Sequence, residues 1–349
     1  MKQRPNSSPA RRGRRIADGG GGGRPGEFEL IARYFAPLAT DRAALGLADD
    51  AARIRPRSGE DLVVTTDLVA AGVHFFPDDP PEAIARKALR VNLSDLAAKG
   101  AEPIGYLMAL ALPADWTEAW IARFAKGLAA DQAAYRISLI GGDTSRAANG
   151  LTITITAFGR LPRGAMVHRA GARPGDIIYV SGTVGDAALG LALRTAKIDR
   201  KAAGRGATHL LDRYLHPQPR MKLAPAVRRH ASAALDISDG LIGDFGHICE
   251  VSNVGAVIEA ARVPLSVPAQ RLVRSAPRLL ETALTGGDDY EILATIAPRA
   301  AASFERAARQ AAVSVTEIGR VTEGRGRPVV VGSDGQPLSF GHASFDHFR

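Results

Sequence analysis

The sequence predicts an α/β or α+β protein made of two domains. In both halves, short apolar runs of strand length alternate with longer segments of helical periodicity. Residues 151–159 give the clearest strand, because apolar and polar residues alternate along LTITITAFG. Residues 160–175 are rich in Gly, Pro and charge, which indicates a domain boundary. We therefore divide the chain into an extension (1–26), an N-terminal domain (27–165) and a C-terminal α+β domain (166–349).

Apolar spacing predicts the elements of the N-terminal half. Pro80 and Pro81 suit the start of a helix, and Pro113 closes a buried strand. Asp115 is expected to cap the helix that follows. In chain order, we expect helix 27–37, strand 62–66 running into Asp67, helix 82–99, strand 104–112, helix 115–134, strand 137–140 ending at Gly141-Gly142-Asp143, and strand 151–159.

The C-terminal half begins with the apolar strand DIIYVSG at 176–182. We expect a helix from about Gly185, a loop at 199–207, helices at 208–215 and 220–231, strand 233–237, a helix from Asp239, strand 289–296, helix 299–312, and strands 313–320 and 328–332. No repeat of fixed period is present.

Composition argues against nucleic-acid and membrane partners. The chain of 349 residues is 46% hydrophobic and 23% charged, as expected for a globular protein. Its formal charge of +9 is concentrated in residues 1–26, where seven basic residues and one acidic residue leave only +3 for the rest. This Gly/Arg-rich extension is poor in apolar residues, so we expect it to be disordered. No apolar run reaches the roughly 18 residues of a membrane span.

The sequence contains one cysteine, Cys249, which excludes an internal disulfide and favours a reducing cytoplasm. Its apolar neighbours at helical spacing predict a packing role.

Six short segments place aspartate where buried strand or helix ends are expected. They are LADDAA (Asp49, Asp50), VVTTDLV (Asp67), VNLSDLAAKGA (Asp95), LIGGDTS (Asp143), LDISDGL (Asp236, Asp239) and LTGGDDYEI (Asp288, Asp289). Carboxylates beside apolar residues are costly to bury unless positive charge neutralises them. Taken together, the segments predict sites for divalent cations that accompany a polyphosphate.

Each segment also has a simpler interpretation. Asp239 could cap a helix, Asp95 could be a cap or pair with Lys99, and Asp49 and Asp50 could form a turn. Other nucleotide motifs are missing from the sequence: it has no GxxxxGK[ST] loop and no protein-kinase catalytic loop.

The segments GEFELIARYF, TTDLVAAGVHF, KALRVNLSDLAAKGAEP, LIGGDTS, RAGARPGDIIYVSGTVGDAALGL, LDISDGLIGDFGHI and LTGGDDYEI resemble, in sequence and order, the thiamine-monophosphate kinase family. This family belongs to the superfamily of aminoimidazole ribonucleotide synthetase. The resemblance implies an N-terminal α/β domain whose sheet forms a barrel in a homodimer, and a C-terminal α+β domain. It also implies that ATP and several Mg²⁺ ions bind in the cleft between the domains.

Carried over by motif, the implied Mg²⁺ ligands are Asp50, Thr66, Asp67, Asp95, Asp143, Asp236 and Asp239, with Thr65 close by. The implied ATP contacts are Gly142, Arg169 and Ser238, and the implied thiamine-monophosphate contacts are His74, Asp288 and Phe345. One residue departs from the family pattern: Ala48 stands where a glycine is usual. A glycine that needed a positive φ could not be replaced by alanine without strain.

The resemblance implies that the γ-phosphate of ATP passes directly to thiamine monophosphate, giving thiamine diphosphate. No catalytic base is expected, because the acceptor phosphate is already largely ionised near neutral pH. Two alternatives stay open: another ATP-dependent enzyme of the same superfamily, or a nucleotide-binding sensor without activity.

Overall fold

The computed structural model describes residues 25–342 and residue 344. Residues 1–24 of the predicted disordered extension, and Phe345 among the predicted substrate contacts, lie outside the described residues.

The N-terminal half is built around a four-stranded sheet. Its strands are β1 (Glu60–Ala70), β2 (Glu102–Leu112), β3 (Leu139–Arg146) and β4 (Thr152–Pro162). They are arranged in the order β1-β4-β2-β3, with β4 antiparallel to both neighbours and β2 parallel to β3. The helices are α1 (Glu27–Leu30), continued by a π segment (Ile31–Phe35) and a 3-10 turn (Ala36–Leu38), a 3-10 segment (Arg42–Leu47), α2 (Pro81–Ala98) and α3 (Glu118–Tyr135).

Helix α2 covers one face of this sheet and contacts both halves of the molecule. It packs on β1 and β4, where Ile153, Ile155 and Ala157 are buried. Its residues Leu89 and Leu93 are fully buried. The alternation along β4 therefore separates a buried face, covered by α2, from an opposite face that is partly exposed among the described residues and that we call the open face.

The C-terminal half contains a six-stranded mixed sheet. Its strands are β5 (Ile177–Ser181), β6 (Ala231–Asp236), β7 (Gly255–Glu259), β8 (Ile292–Ile296), β9 (Val315–Thr322) and β10 (Val329–Val331), in the order β10-β7-β9-β5-β8-β6. β10 and β7 are parallel, and the other neighbours are antiparallel. The helices are α4 (Asp186–Arg194), α5 (Arg200–Ala203), α6 (Ala207–Leu215), α7 (Ala224–His230), α8 (Leu241–Ser252), α9 (Val267–Ser275), α10 (Leu279–Thr285) and α11 (Pro298–Gln310). α2 also packs on β6 and β8, so it lies between the two sheets.

Most predicted elements are confirmed, but several boundaries were wrong. β1 and β3 extend past the predicted strand ends, so Asp67 and Asp143 lie inside strands instead of following them. The predicted cap Asp115 is replaced by Thr117, whose side chain accepts a hydrogen bond from the Trp120 amide. Pairing with neighbouring strands fixes where a strand ends, and this pairing is not visible in local sequence.

The predicted loop at 199–207 contains α5 and a 3-10 turn, because the Asp199 side chain caps the helix through the Lys201 amide. Ala48 has a φ of −100°, so alanine is unstrained there; the positive φ values fall on Leu45, Gly46 and Leu47. The packing role of Cys249 is confirmed, since it is buried in the core beneath the second sheet. None of the helices in the described part of the chain is long and apolar enough to span a membrane.

Candidate active site in the cleft between the two sheets

A cleft of about 660 Å³ opens between the two halves of the molecule. The N-terminal half contributes Asp67 on β1 and His74 in the loop that follows it. The C-terminal half contributes the loop before α8, with Ser238 and Asp239, and the loop before β8, with Asp288. The two halves thus bring together side chains that are far apart in the sequence.

Three carboxylates that the sequence singled out lie close together beside this cleft. The Thr65 hydroxyl donates to a carboxylate oxygen of Asp95, 2.5 Å away, and so joins β1 to α2. Burial, and then the charge of Asp95, raise the pKa of Asp67 to about 6. The same two causes, burial first, hold the pKa of Asp236 well above its ordinary value. Asp67, Asp95 and Asp236 therefore form a cluster of like charge that favours a positive partner.

Tyr290 lies behind the cluster and is almost fully buried. Burial is the main cause that raises the pKa of its phenol, and the charges of four carboxylates add to it. These four are Asp288, Asp67, Asp236 and Asp239. Carboxylates from both halves of the molecule therefore raise the pKa of the Tyr290 phenol.

Asp244, which the sequence analysis missed, shapes the loop that carries Ser238 and Asp239. One of its carboxylate oxygens accepts hydrogen bonds from the amides of Ser238, Asp239 and Gly240, at 3.0 to 3.1 Å. Burial raises the pKa of Asp244 to about 7, while these amides oppose the rise. The Gly240 N-cap of α8 has no side-chain cap bond, so Asp239 does not act as the helix cap. The sequence contained one signal for this role of Asp244, namely an acid at the fourth residue of an otherwise apolar first turn.

The loop before β8 packs directly on the Ser238 loop. The Asp288 amide donates to the Ser238 carbonyl, 2.8 Å away. A Cβ at Gly287 would lie 2.1 Å from the same carbonyl oxygen, and one at Gly286 would lie 2.4 Å from the Ala188 Cβ. Only glycine allows this approach, which explains the Gly-Gly pair before the acids.

His74 and Asp288 face the cleft from opposite halves. The Ala70 amide donates to His74 Nδ1, 3.1 Å away, so a neutral ring carries its proton on Nε2. The ammonium of Lys87 lies between the two segments and donates to the His74 carbonyl and to Asp288. No motif in the local sequence predicted a role for Lys87.

A second set of predicted residues lies on the open face of the first sheet, opposite the face covered by α2. Asp50, Gly142 and Asp143 line a groove of about 740 Å³ there. The Thr66 hydroxyl is 3.0 Å from that of Thr156, which lines the same groove. Thr66 therefore points away from Thr65 and Asp67, as neighbouring residues of a strand must.

Local geometry explains how residues on this open face are held. Asp49 and Asp50 form an exposed bend in which the Asp50 amide donates to the Asp49 side chain, 2.8 Å away. A Cβ at Gly142 would lie 2.0 Å from the Met108 carbonyl oxygen, which requires glycine at this position of β3.

Arg169 is exposed and lies near the buried end of α2, where its charge lowers the pKa of Lys99 after the larger effect of burial. Lys99 does not form the ion pair with Asp95 that the sequence allowed. Its ammonium instead donates to the Ala234 carbonyl, 2.8 Å away, next to Asp236 on β6. The charges of Asp236 and Asp95 nevertheless act on this ammonium and oppose the lowering of its pKa by burial and by Arg169.

The donor set fits Mg²⁺. Asp67, Asp95 and Asp236 supply carboxylate oxygens, and the Thr65 hydroxyl adjoins Asp95. Burial, and then like charge, raises the pKa of Asp67 and of Asp236. Within the described residues, no group of three or more His, Cys, Asp or Glu side chains is arranged so that it could already hold a metal ion. Mg²⁺ normally takes a few carboxylates and completes its shell with water and phosphate oxygens, so an open arrangement suits it.

Comparison with known proteins shows which family models match this architecture. Residues 48–161 match the family described as AIR synthase related protein, N-terminal domain, and residues 173–332 match the corresponding C-terminal domain. The fold and the cleft therefore define an AIR synthase related protein.

Three relatives show which family within this class of proteins the chain resembles. The chain is 44% identical over 307 residues to the thiamine-monophosphate kinase of Caulobacter vibrioides, covering 86% of each chain. The crystal structure of thiamine-monophosphate kinase from Stenotrophomonas maltophilia K279a has a TM-score of 0.78 and 39% identity, covering 89% of this chain and 98% of that one. The structure of AaThiL complexed with AMPPCP and TMP has a TM-score of 0.73 and 32% identity, covering 93% and 97%. This chain belongs to the thiamine-monophosphate kinase family.

Proposed function

We propose that this protein transfers the γ-phosphate of ATP to thiamine monophosphate, giving thiamine diphosphate and ADP. The observation that carries the proposal is the cleft, in which clustered carboxylates from both halves lie beside His74 and Asp288. The AaThiL complex supports it, because that relative holds a nucleotide analogue together with TMP.

The acceptor needs no general base. The second pKa of a phosphate monoester is about 6, so the attacking oxygen is already largely ionised near neutral pH. The obstacle is repulsion between this dianion and the γ-phosphate. Catalysis then depends on positioning and on positive charge between the two phosphates. We therefore assign no residue as a proton acceptor.

Asp67, Asp95, Asp236 and Asp239, with Thr65, would hold Mg²⁺ at the cleft, and Asp50, Asp143 and Thr66 would hold it on the open sheet face. Bound Mg²⁺ supplies the charge that screens one phosphate from the other. Gly142, Arg169 and Ser238 would contact ATP. His74 and Asp288, together with Phe345, would contact thiamine monophosphate.

We further propose that the first sheet forms a homodimer through its open face. That face presents Leu62, Val64 and Leu68 of β1, which are 38%, 55% and 52% exposed. Register places Val64 beside Phe158 and Thr66 beside Thr156. An apolar sheet face without a covering layer is typical of an association surface.

The proposed domains are 27–165, which contains the first sheet and α2, and 166–349, which contains the second sheet. We also propose a cytoplasmic location, where ATP is available and a chain with one cysteine needs no disulfide.

The direct test incubates purified protein with Mg²⁺, ATP and thiamine monophosphate and measures thiamine diphosphate and ADP. Equal amounts of both products are expected. Absence of product, combined with turnover of the aminoimidazole ribonucleotide synthetase substrate, would contradict the proposal. A chiral γ-phosphate would show inversion if transfer is direct, and retention would indicate a phosphoenzyme.

A further inference from the structure

Lys87 is a buried lysine in the middle of α2. It is only 2% exposed, although lysine is almost never fully buried without a partner. A desolvated ammonium is strongly unfavourable unless hydrogen bonds and opposite charge compensate it. The groups that contact its ammonium therefore indicate the role of Lys87.

Three groups surround the ammonium. It donates to the His74 carbonyl at 2.8 Å and to Asp288 Oδ2 at 2.7 Å, and the Tyr214 ring centroid lies 4.3 Å away. His74 belongs to the N-terminal half, while Asp288 and Tyr214 belong to the C-terminal half. One nitrogen atom thus joins three segments across the cleft.

The two segments that Lys87 joins are not held by regular secondary structure. Asp288 has a φ of +71° and Tyr290 a φ of +51°, a region that side chains other than glycine rarely adopt. The His74 loop is held against the C-terminal half by the Asp79 side chain, which contacts the Tyr214 hydroxyl at 3.2 Å and the Arg194 guanidinium at 3.4 Å. The unusual backbone conformations of Asp288 and Tyr290 persist only because surrounding contacts hold them in place.

We propose that Lys87 is a positioning residue for thiamine monophosphate. Its ammonium fixes the carboxylate of Asp288 and the backbone of His74 at a set separation, so that the two walls of the cleft present one site. Lys87 acts through these residues and does not touch the reacting phosphates. This inference rests on the proposed function, because it takes His74 and Asp288 as contacts of that substrate.

The test compares steady-state kinetics of the full chain and its Lys87→Met variant. Methionine keeps the length of the side chain but removes the charge and both hydrogen bonds. The KM for thiamine monophosphate should rise about tenfold, the cost of a lost charged hydrogen bond, while the KM for ATP stays within about twofold. In an Asp288→Asn background, Lys87→Met should raise the KM for thiamine monophosphate much less, because its partner is already altered.

Arg228→Met is the matched control. Arg228 is a half-buried cation that, like Lys87, crosses between the halves: it donates to the Gly100 carbonyl, and it does not line the cleft. Its loss should leave both KM values near those of the wild type. If Lys87→Met does not fold, Lys87→Gln, which keeps a donor but no charge, should show the same selective rise in smaller degree.

The outcomes separate the two proposals. If the wild type is active and the Lys87 variants either leave the KM for thiamine monophosphate unchanged or raise both KM values equally, the positioning role is wrong and the function stands. If the wild type makes no thiamine diphosphate, the proposed function fails and this inference fails with it.

Discussion

At the scale of single residues, the cleft is defined by carboxylates that are unfavourable in isolation. Asp236 is buried and Asp67 half-buried beside the charge of Asp95, and burial, followed by like charge, raises the pKa values of both. Lys99 directly follows the helix that carries Asp95, and its ammonium donates a hydrogen bond to the Ala234 carbonyl. Local stability does not require three acids here, so their presence points to a bound cation.

Asp67→Asn and Asp236→Asn are each expected to lower kcat by at least about 100-fold, because a lost carboxylate removes charge that holds the cation. Asparagine keeps the shape and relieves repulsion, so the melting temperature without Mg²⁺ should equal or exceed that of the wild type. Thiamine diphosphate formation and thermal melting measure the two effects.

Asp61→Asn is the control for these variants. Asp61 lies on the same strand but accepts a hydrogen bond from the Gly164 amide, outside the cleft. Its turnover should stay close to that of the wild type. Turnover near the wild-type rate in both cleft variants would show that these acids do not hold the cation.

At the scale of elements, the loop before β8 shows how close packing sets the shape of the cleft. Its two glycines fit against α4 and the Ser238 loop with no room for a side chain. The next residue, Asp288, then faces Lys87, and Asp289 turns inward toward the start of α4. The element thus depends on contacts with segments about 50 to 200 residues earlier in the chain.

Gly287→Ala should disrupt this loop, because the new Cβ would meet the Ser238 carbonyl oxygen at 2.1 Å. We expect a loss of stability of about 1–3 kcal/mol, as for overpacked cores, and a large loss of turnover. Gly246→Ala on α8 is the control: the closest atom lies 3.8 Å away, so alanine should stabilise the helix slightly. Equal melting temperatures for the two variants would refute the packing argument.

Asp289 at the start of α4 should make stability depend on pH. It is buried and accepts a bond from the Gly185 amide at 2.7 Å, while its other oxygen has no hydrogen-bond partner among the described residues. Burial holds its pKa well above the ordinary 3.8. The folded state therefore binds the proton more tightly than the unfolded state, and stability falls as pH rises above 3.8 toward the folded value.

Asp289→Asn removes this titration, so its melting temperature should fall less steeply than that of the wild type as pH is raised from about 4 to 8. Melting curves across this range provide the measurement. Asp199→Asn, which alters the exposed cap of α5, should keep the wild-type slope. Parallel curves for the wild type and Asp289→Asn would contradict the assignment.

At the scale of the whole molecule, α2 is the element on which both halves are assembled. It packs on the covered face of the first sheet and on β6 and β8 of the second. It also carries Lys87 and Asp95 and is followed directly by Lys99, and these residues reach the cleft or the opposite half. The remaining open face of the first sheet is then available for a second copy of the chain.

Light scattering after gel filtration should give twice the chain mass of 36.7 kDa. Val64→Asp places a charge on the open face and should shift the mass toward a single chain. Val329→Asp is the matched control, since Val329 is 45% exposed on the second sheet. A monomeric wild type, or a dimer unaffected by Val64→Asp, would refute association through this face.

Local sequence predicted much of this molecule. Helix α2 and strands β2 and β4 were predicted to within about three residues, because their apolar spacing reflects burial of a helix or of a strand face. The short strand β7 and helices α9 and α10 were missed. The aspartate segments were recognisable because acids among apolar residues break that pattern.

The sequence by itself determined the two-domain class and the family, and it supplied the acids that we propose for the site, since periodicity, composition and motif order are local properties of the chain. Only the tertiary structure placed Thr65 and Asp67 on one face of β1 and Thr66 on the other side of the sheet. It also brought Lys87 to Asp288, 201 residues away, and turned Asp244 onto the loop of Ser238. These contacts depend on how two sheets pack against one helix, which no local pattern specifies.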